Sequence, residues 1–93
     1  MLEIESILKT HKDVLAARFH VKCIGVFGSY ARNEETRGSD VDILVEFSEP
    51  VGWELFDLKD YLEEILEKPV DIVTKNALKR QLRSRILEEV RMV

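Results

Sequence analysis

The chain has 93 residues, of which 45% are hydrophobic and 34% are charged, and its formal net charge is −4. This length suits one domain and is too short for two, so we expect residues 1–93 to form a single unit. Direct nucleic-acid binding is not expected, because proteins that hold a nucleic-acid backbone are usually basic. No apolar run approaches the ~18 residues of a membrane span, which predicts a cytoplasmic protein without membrane contact. The single cysteine, Cys23, excludes an internal disulfide framework.

The first half of the chain predicts a helix followed by two strands. Apolar residues at helical spacing indicate an amphipathic helix over residues 3–19: Ile4, Ile7, Leu8, Leu15 and Phe19. The apolar, β-branched run over residues 21–27 predicts a buried strand that stops at Gly28. Residues 28–40 are polar and contain two glycines, which indicates a short helical turn and then a loop. A second strand is predicted over residues 41–47.

The second half repeats the alternation. From Trp53 onward the pattern is helical, and the predicted helix ends before Pro69. Its apolar stripe consists of Leu55, Leu58, Leu62, Ile65 and Leu66. Residues 70–73 form a short apolar run and predict a third strand. Apolar residues at intervals of four, from Leu78 to Val90, predict a final helix. This order predicts an α/β fold of the α+β type, with a small mixed sheet flanked by helices.

Three aspartates form the first candidate site. Asp40 and Asp42 fall on the same face at the start of the second strand, because side chains alternate along a strand. Two carboxylates so close repel each other unless a cation lies between them, and oxygen ligands of this kind suit Mg²⁺. Asp71 is an isolated acid in the third strand, and it joins the other two if the strands are neighbours. Three carboxylates could then hold two metal ions about 3.5–4 Å apart, the arrangement used for in-line phosphoryl or nucleotidyl transfer.

Gly28 and Ser29 form the second candidate site. They close the first strand and open the predicted helical turn. Glycine lets the backbone approach a phosphate group closely, and exposed N–H groups at the start of a helix attract anions. Ser29 adds a hydroxyl donor, although a simple helix N-cap is an alternative role for it. The spacing of Gly-Ser, ten residues and then Asp-x-Asp should arise by chance in roughly one chain of this length per thousand.

These residues resemble the signature of a known superfamily. The sequence GSYAR at residues 28–32, followed by SDVDILV at residues 39–45, is similar to the motif of the DNA polymerase beta-like nucleotidyltransferases. The short length and the closing helix resemble the minimal branch, called MNT or MntA proteins. The resemblance covers nearly the whole chain. One departure is Asn33, which stands where many relatives have glycine, so a different loop shape is expected before Asp40.

The resemblance implies a set of roles. Asp40 and Asp42 would bind two Mg²⁺ ions, and Asp71 would complete one metal site and help to activate the attacking hydroxyl. Gly28 and Ser29 would hold the β- and γ-phosphates of ATP. Members of this branch are commonly the antitoxin of a type VII-like toxin–antitoxin pair, in which the toxin has a HEPN domain. Some of them transfer AMP from ATP to a tyrosine of that toxin.

Several alternatives remain open at this stage. The protein could be a non-catalytic antitoxin that neutralises its partner by forming a complex, or a nucleotidyltransferase that modifies a small molecule. Arg32 is a candidate nucleotide ligand, but a surface salt bridge explains it equally well. Trp53 and Phe56 are expected in the core, and a partner surface is their alternative role.

Overall fold

A computed structural model of the protein describes residues 3–78 and 80–93. The helices are α1 (Glu3–Thr10), α2 (Lys12–Phe19), α3 (Gly28–Ala31), α4 (Glu54–Leu66) and α5 (Arg80–Glu89). The strands are β1 (Val21–Phe27), β2 (Val41–Phe47), β3 (Val70–Thr74) and β4 (Arg91–Met92). A single 3₁₀ turn, Lys75–Ala77, lies between β3 and α5. The predicted bounds of β1 and β2 are confirmed, and β3 extends one residue beyond its prediction.

The sheet is mixed and has the strand order β3-β2-β1-β4. β1 is antiparallel to both β2 and β4, whereas β2 and β3 run parallel. The polypeptide crosses from β2 to β3 through α4, as a parallel pair requires. The predicted α+β architecture with a small mixed sheet and flanking helices is therefore confirmed.

One face of the sheet and the helices packed on it contain the hydrophobic core. Ile24, Val26, Ile43 and Val45 project from the two central strands and are fully buried. They belong to one cluster with Leu8, Leu15, Leu58 and Leu62 from the first, second and fourth helices. On the opposite side, Leu87, Val90 and Met92 from the end of the chain line a cleft with Leu44 and Cys23. Cys23 is half-buried there. The core thus fixes the sheet from one side and leaves the other side for the aspartates.

The predicted helix over residues 3–19 is interrupted, and in this respect the prediction was wrong. His11 separates α1 from α2, and its backbone N–H is shared between the carbonyls of Ile7 and Leu8, both at 3.2 Å. The His11 ring also contacts the Ile7 carbonyl at 2.9 Å and packs edge-on against Tyr61. Apolar periodicity did not reveal this break, because the apolar residues on either side of it still face the core.

The last helix ends earlier than predicted. α5 stops at Glu89, and the next residues form β4, in which Met92 pairs with Gly25 and Arg91 pairs with Val26. The Val93 N–H extends the pairing by donating to the Ile24 carbonyl at 2.9 Å. At the other end, Leu78 is extended and lies outside the helix. The part of the predicted last helix that falls on Lys79 lies outside the described residues.

Trp53 and Phe56 do not belong to the core, which corrects the first expectation for them. Trp53 is 83% exposed and Phe56 is 60% exposed. Their rings pack against each other with centroids 5.7 Å apart. Helical periodicity assigned the stripe of α4 correctly, but Trp53 precedes that helix and Phe56 lies on its exposed side. Among the described residues, no helix combines the length and the apolarity that crossing a membrane requires.

Candidate active site

The parallel pairing of β2 and β3 brings Asp42 and Asp71 side by side. The two residues are direct partners in the register of the strands, and Asp42 also pairs with Phe27 on its other side. Side chains at paired positions point to the same face of a sheet. Asp42 therefore lies between Asp71 and the end of β1, on the face opposite the main core.

Asp40 lies immediately before β2 and is exposed to solvent. The N–H of the next residue, Val41, donates to the Pro69 carbonyl at 2.9 Å, so the entry to β2 is fixed against the entry to β3. The charge of Asp40 acts on Asp42 and raises the pKa of that carboxyl group. The structure thus brings the three predicted aspartates into one electrostatic group.

The pKa of Asp42 is raised above its ordinary value. Partial burial of the carboxyl group is the largest cause, followed by repulsion from Asp71 and Asp40. Arg32 opposes the change, and Glu89 adds to it. A carboxylate that is both desolvated and surrounded by like charges is stabilised by a bound cation. The electrostatics of this group therefore fit a metal ligand.

Gly28 occupies a position that no other residue fits. Its φ is +72°, in the left-handed region that L side chains avoid. A Cβ atom at Gly28 would lie 2.1 Å from Oδ2 of Asp42, and 3.0 Å from its Cγ. The turn between β1 and α3 is thus in direct contact with the central aspartate. Glycine is required here both by the backbone conformation and by the approach of the carboxylate.

Ser29 follows within α3 and is half-buried. The residue before α3 is Phe27, which provides no side-chain cap, so Ser29 does not have the N-cap role that was its alternative. The Ser29 carbonyl accepts a hydrogen bond from the Glu34 N–H at 2.8 Å, which folds the following loop back. This places Ser29 directly beside Gly28, at the same edge of the sheet as Asp42.

Asn33 adopts the backbone conformation that glycine favours. Its φ is +58°, and asparagine tolerates this left-handed region better than most residues. Its N–H donates to the Tyr30 carbonyl at 3.3 Å, which ends α3. Asparagine therefore supports here the left-handed turn that glycine would also allow, and a different shape of the loop before Asp40 stays a prediction.

Arg32 forms two ion pairs, with carboxylates from different parts of the chain. Its Nε is 2.9 Å from Glu34, and its Nη1 is 3.0 Å from Oε2 of Glu89. Hydrogen bonds to these two carboxylates raise the pKa of Arg32, and the bond to Glu34 has the larger effect. The salt-bridge role considered for Arg32 is present, and the same guanidinium lies close enough to Asp42 to lower the pKa of that carboxyl group.

Glu89 is a residue of this site that the sequence did not single out. Its Oε1 accepts the backbone N–H of Gly28 at 3.2 Å, while its Oε2 pairs with Arg32. Gly28 and Glu89 are 61 positions apart in the sequence. Glu89 lies in the helix that shares the family resemblance, but it is one of two adjacent glutamates, and no pattern distinguishes it from Glu88. Only the folded arrangement of α5 against α3 reveals its contacts.

The donor set suits magnesium together with a substrate. The described residues contain no group of three or more histidine, cysteine, aspartate or glutamate side chains that could hold a metal ion. Mg²⁺ commonly binds through one or two carboxylates and completes its shell with water and with substrate phosphates. The adjacent Asp42 and Asp71 supply the two carboxylates of such a shared site, and Asp40 adds negative charge to it.

Comparison with known proteins identifies relatives along most of the chain. The sequence model of the nucleotidyltransferase domain family matches residues 8–93. The chain is 51% identical over 89 residues to the protein adenylyltransferase MntA of Thermococcus cleftensis. This match covers 95% of this chain and 90% of that protein.

Solved structures show the same fold. One is a candidate minimal nucleotidyltransferase, which matches with a TM-score of 0.77 and 36% identity. The match covers 95% of this chain and 93% of that chain. Another is a complex of a tri-AMPylated HEPN toxin with an MNT antitoxin from Shewanella oneidensis. That match has a TM-score of 0.62 and 21% identity, and it covers 91% of this chain and 68% of the other. At this identity the likeness is one of fold.

Proposed function

Because the chain belongs to the nucleotidyltransferase domain family and is a nucleotidyltransferase, we propose that it transfers AMP from ATP to a tyrosine hydroxyl of a HEPN-type toxin. In this way it would act as the antitoxin of that toxin, in the cytoplasm where ATP is available. A protein acceptor is supported by the similarity of this chain to the protein adenylyltransferase MntA of Thermococcus cleftensis, to which it is 51% identical. The choice of a HEPN-type toxin follows from the fold that this chain shares with the tri-AMPylated toxin–antitoxin complex.

The observation that carries the proposal is the position of Asp42. Its carboxylate touches the Gly28 turn on one side and is paired in register with Asp71 on the other. A phosphate-binding turn and a metal-binding carboxylate must be neighbours in a nucleotidyltransferase, because the metal contacts phosphate oxygens. The proximity of Gly28 and Asp42 meets this requirement within a single contact.

The residues of the site have separate tasks in the proposed reaction. Gly28 and Ser29 bind the β- and γ-phosphates through a backbone N–H and a hydroxyl group, and Arg32 adds positive charge beside them. Asp40, Asp42 and Asp71 hold magnesium. Magnesium, when bound, neutralises charge on the triphosphate and lowers the pKa of the acceptor hydroxyl.

The transfer itself exchanges one phosphorus–oxygen bond for another. The tyrosine oxygen forms a bond to the α-phosphorus, and the bond from that phosphorus to the bridging oxygen of the β-phosphate breaks. Pyrophosphate leaves, and Asp71 accepts the tyrosine proton. Asp42, as a ligand of magnesium, helps to hold the α-phosphate in line with the attacking oxygen.

Intact mass spectrometry tests this proposal. The acceptor to test first is the product of the gene adjacent to the one for this chain, incubated with the protein, ATP and Mg²⁺. We expect the acceptor to gain one or more AMP units, and Asp42→Asn to abolish the gain. Asp60→Asn is the matched control, because Asp60 makes the same change on the exposed side of α4. Modification at the wild-type rate by Asp42→Asn would contradict the proposed site.

A second candidate function is neutralisation by binding alone. The exposed, stacked pair of Trp53 and Phe56 favours it, because large exposed aromatic side chains are typical anchors of protein interfaces. A toxin-neutralisation assay with Asp42→Asn separates the two functions. An enzyme loses neutralisation with this variant, whereas a protein that acts only by binding retains it.

A further inference from the structure

The carboxylate of Glu89 occupies the hydrogen-bond donors at the Gly28 turn. One of its oxygens accepts the Gly28 N–H at 3.2 Å, and the other accepts from Arg32 at 3.0 Å. The Glu89 side chain is only 20% exposed, so it lies within the site and not at its rim. A carboxylate whose two oxygens each accept one hydrogen bond offers the same arrangement of acceptors as two oxygens of a phosphate group.

Glu89 and a bound phosphate cannot both use the Gly28 N–H. A backbone amide has a single hydrogen to donate, and a trianionic or tetra-anionic nucleotide repels a carboxylate held beside it. We propose that Glu89 is an internal competitor of the nucleotide, which holds the Gly28 turn and Arg32 until the triphosphate displaces it. This inference rests on the proposed function, since it takes Gly28 and Arg32 to be phosphate ligands.

The surrounding charges support displacement. Glu89 is one of the groups that raise the pKa of Asp42, so its charge adds to the repulsion within the aspartate group. When Glu89 turns away, the repulsion at Asp42 falls and Nη1 of Arg32 is released to face the triphosphate, while Nε of Arg32 keeps its ion pair with Glu34. Glu89 is the last residue of α5, so rotation of its side chain does not require the helix to unfold.

A different role for Glu89 predicts the opposite result. If Glu89 only positions the Gly28 turn and Arg32 for the nucleotide, its removal disorders the phosphate ligands and weakens binding. If it competes, its removal strengthens binding, because the donors no longer need to be vacated. The direction of the change in nucleotide affinity therefore separates the two roles.

Calorimetric titration with Mg²⁺ and the non-hydrolysable analogue AMP-PNP measures this direction. We expect Glu89→Gln to lower the Kd about three- to tenfold relative to the wild type, from the loss of one charge-assisted competitor. Glu88→Gln is the matched control, because it removes the same charge from the neighbouring, exposed position of α5. We expect its Kd to stay within about twofold of the wild type.

A second variant distinguishes competition for the donor from loss of charge. Glu89→Asp retains the charge but is one methylene shorter, so it loses its reach to Gly28. We expect it also to bind AMP-PNP more tightly than the wild type, and it serves if Glu89→Gln does not fold. An unchanged or higher Kd in the Glu89 variants, beside normal binding by the wild type and Glu88→Gln, would overturn the competition. If neither the wild type nor any variant binds AMP-PNP, the nucleotide site and the proposed function fail as well.

Discussion

Gly28 shows how one residue can serve both the fold and the site. Its φ is positive, and a Cβ atom added to it would lie 2.1 Å from Oδ2 of Asp42, so the position excludes any side chain. We expect Gly28→Ala to lower the free energy of unfolding by about 2–4 kcal/mol, from left-handed strain and overpacking together. Denaturant unfolding measures the loss. Gly38→Ala is the control, because a Cβ there meets no heavy atom within 4 Å.

The contact with Asp42 can be separated from the backbone strain. Asp42→Ala removes the carboxyl atoms that a side chain at Gly28 would meet, but it leaves the positive φ unchanged. The double variant should therefore be more stable than the sum of the two single changes predicts. Simple additivity would mean that the Asp42 carboxylate turns aside freely and that the contact places no constraint on the turn.

Asp42 also predicts a pH dependence of stability. Its pKa is raised by burial and by neighbouring carboxylates, so the folded protein binds a proton more tightly at this residue than the unfolded chain does. Its contribution to stability is therefore present at low pH. It is lost as the pH rises from the ordinary aspartate value of about 3.9 through the raised value in the folded protein.

Asp42→Asn isolates this contribution, because asparagine stays neutral at every pH. In metal-free buffer with a chelator, we expect this variant to be more stable than the wild type at pH 7 and to lose that advantage below about pH 4. Denaturant unfolding between about pH 3 and pH 8 gives the difference between the two proteins, with Asp60→Asn as the control. A difference that is constant with pH, or that grows as the pH falls, would contradict the assigned repulsion.

At the scale of elements, β4 depends on a close approach to β1. A Cβ atom at Gly25 would lie 2.6 Å from the Met92 sulfur, 2.9 Å from a Val90 methyl group and 3.1 Å from the Arg91 carbonyl. The methionine can move, but the Arg91 backbone cannot move without breaking its pairing with Val26. We expect Gly25→Ala to lower the free energy of unfolding by about 1–3 kcal/mol.

Amide hydrogen exchange locates this effect. The Val93 N–H bonds to the Ile24 carbonyl, and we expect it to lose protection in Gly25→Ala while the core of β2 stays protected. Gly52→Ala serves as the control, because the nearest atom to a Cβ there is 3.8 Å away. Uniform loss of protection along all four strands would show that the substitution destabilises the whole sheet and not the β4 contact.

The sequence predicted the elements whose signals are local. The strands β1, β2 and β3 follow from short apolar runs bounded by glycine or proline, and Asp71 was expected beside Asp42 if these strands paired. β4 was missed because a two-residue strand has no periodicity, and its pairing with β1 depends on the folded position of α5. The break at His11 was missed because the residues on both sides keep the same apolar face.

The residues of the candidate site likewise divide into those that the sequence groups and one that only the fold brings in. Gly28, Ser29, Asp40 and Asp42 lie within fifteen residues, so spacing along the chain was enough to group them. Glu89 reaches Gly28 across 61 positions, and a glutamate on a charged helix has no signal of its own. Its contact is a property of the packing between α5 and α3, which spacing along the chain does not encode.

At the scale of the whole molecule, the aromatic pair at the start of α4 separates stability from partner binding. Trp53 is 83% exposed, whereas Leu58, further along the same helix, is fully buried. We expect Trp53→Ala to change the free energy of unfolding by less than about 0.5 kcal/mol. Leu58→Ala, by contrast, should lower it by about 2–5 kcal/mol, because it leaves a cavity in the core.

Binding to the proposed HEPN-type partner should reverse this order. We expect Trp53→Ala to raise the Kd of the complex about tenfold or more, since an exposed aromatic anchor contributes strongly once it is buried. Any weakening by Leu58→Ala should follow only from the loss of folded protein. Titration of the partner with both variants, at a temperature where each is folded, measures the two effects. Wild-type affinity in Trp53→Ala and in Phe56→Ala would place the partner on another face, and the cleft beside Leu87 and Met92 would then be the surface to test.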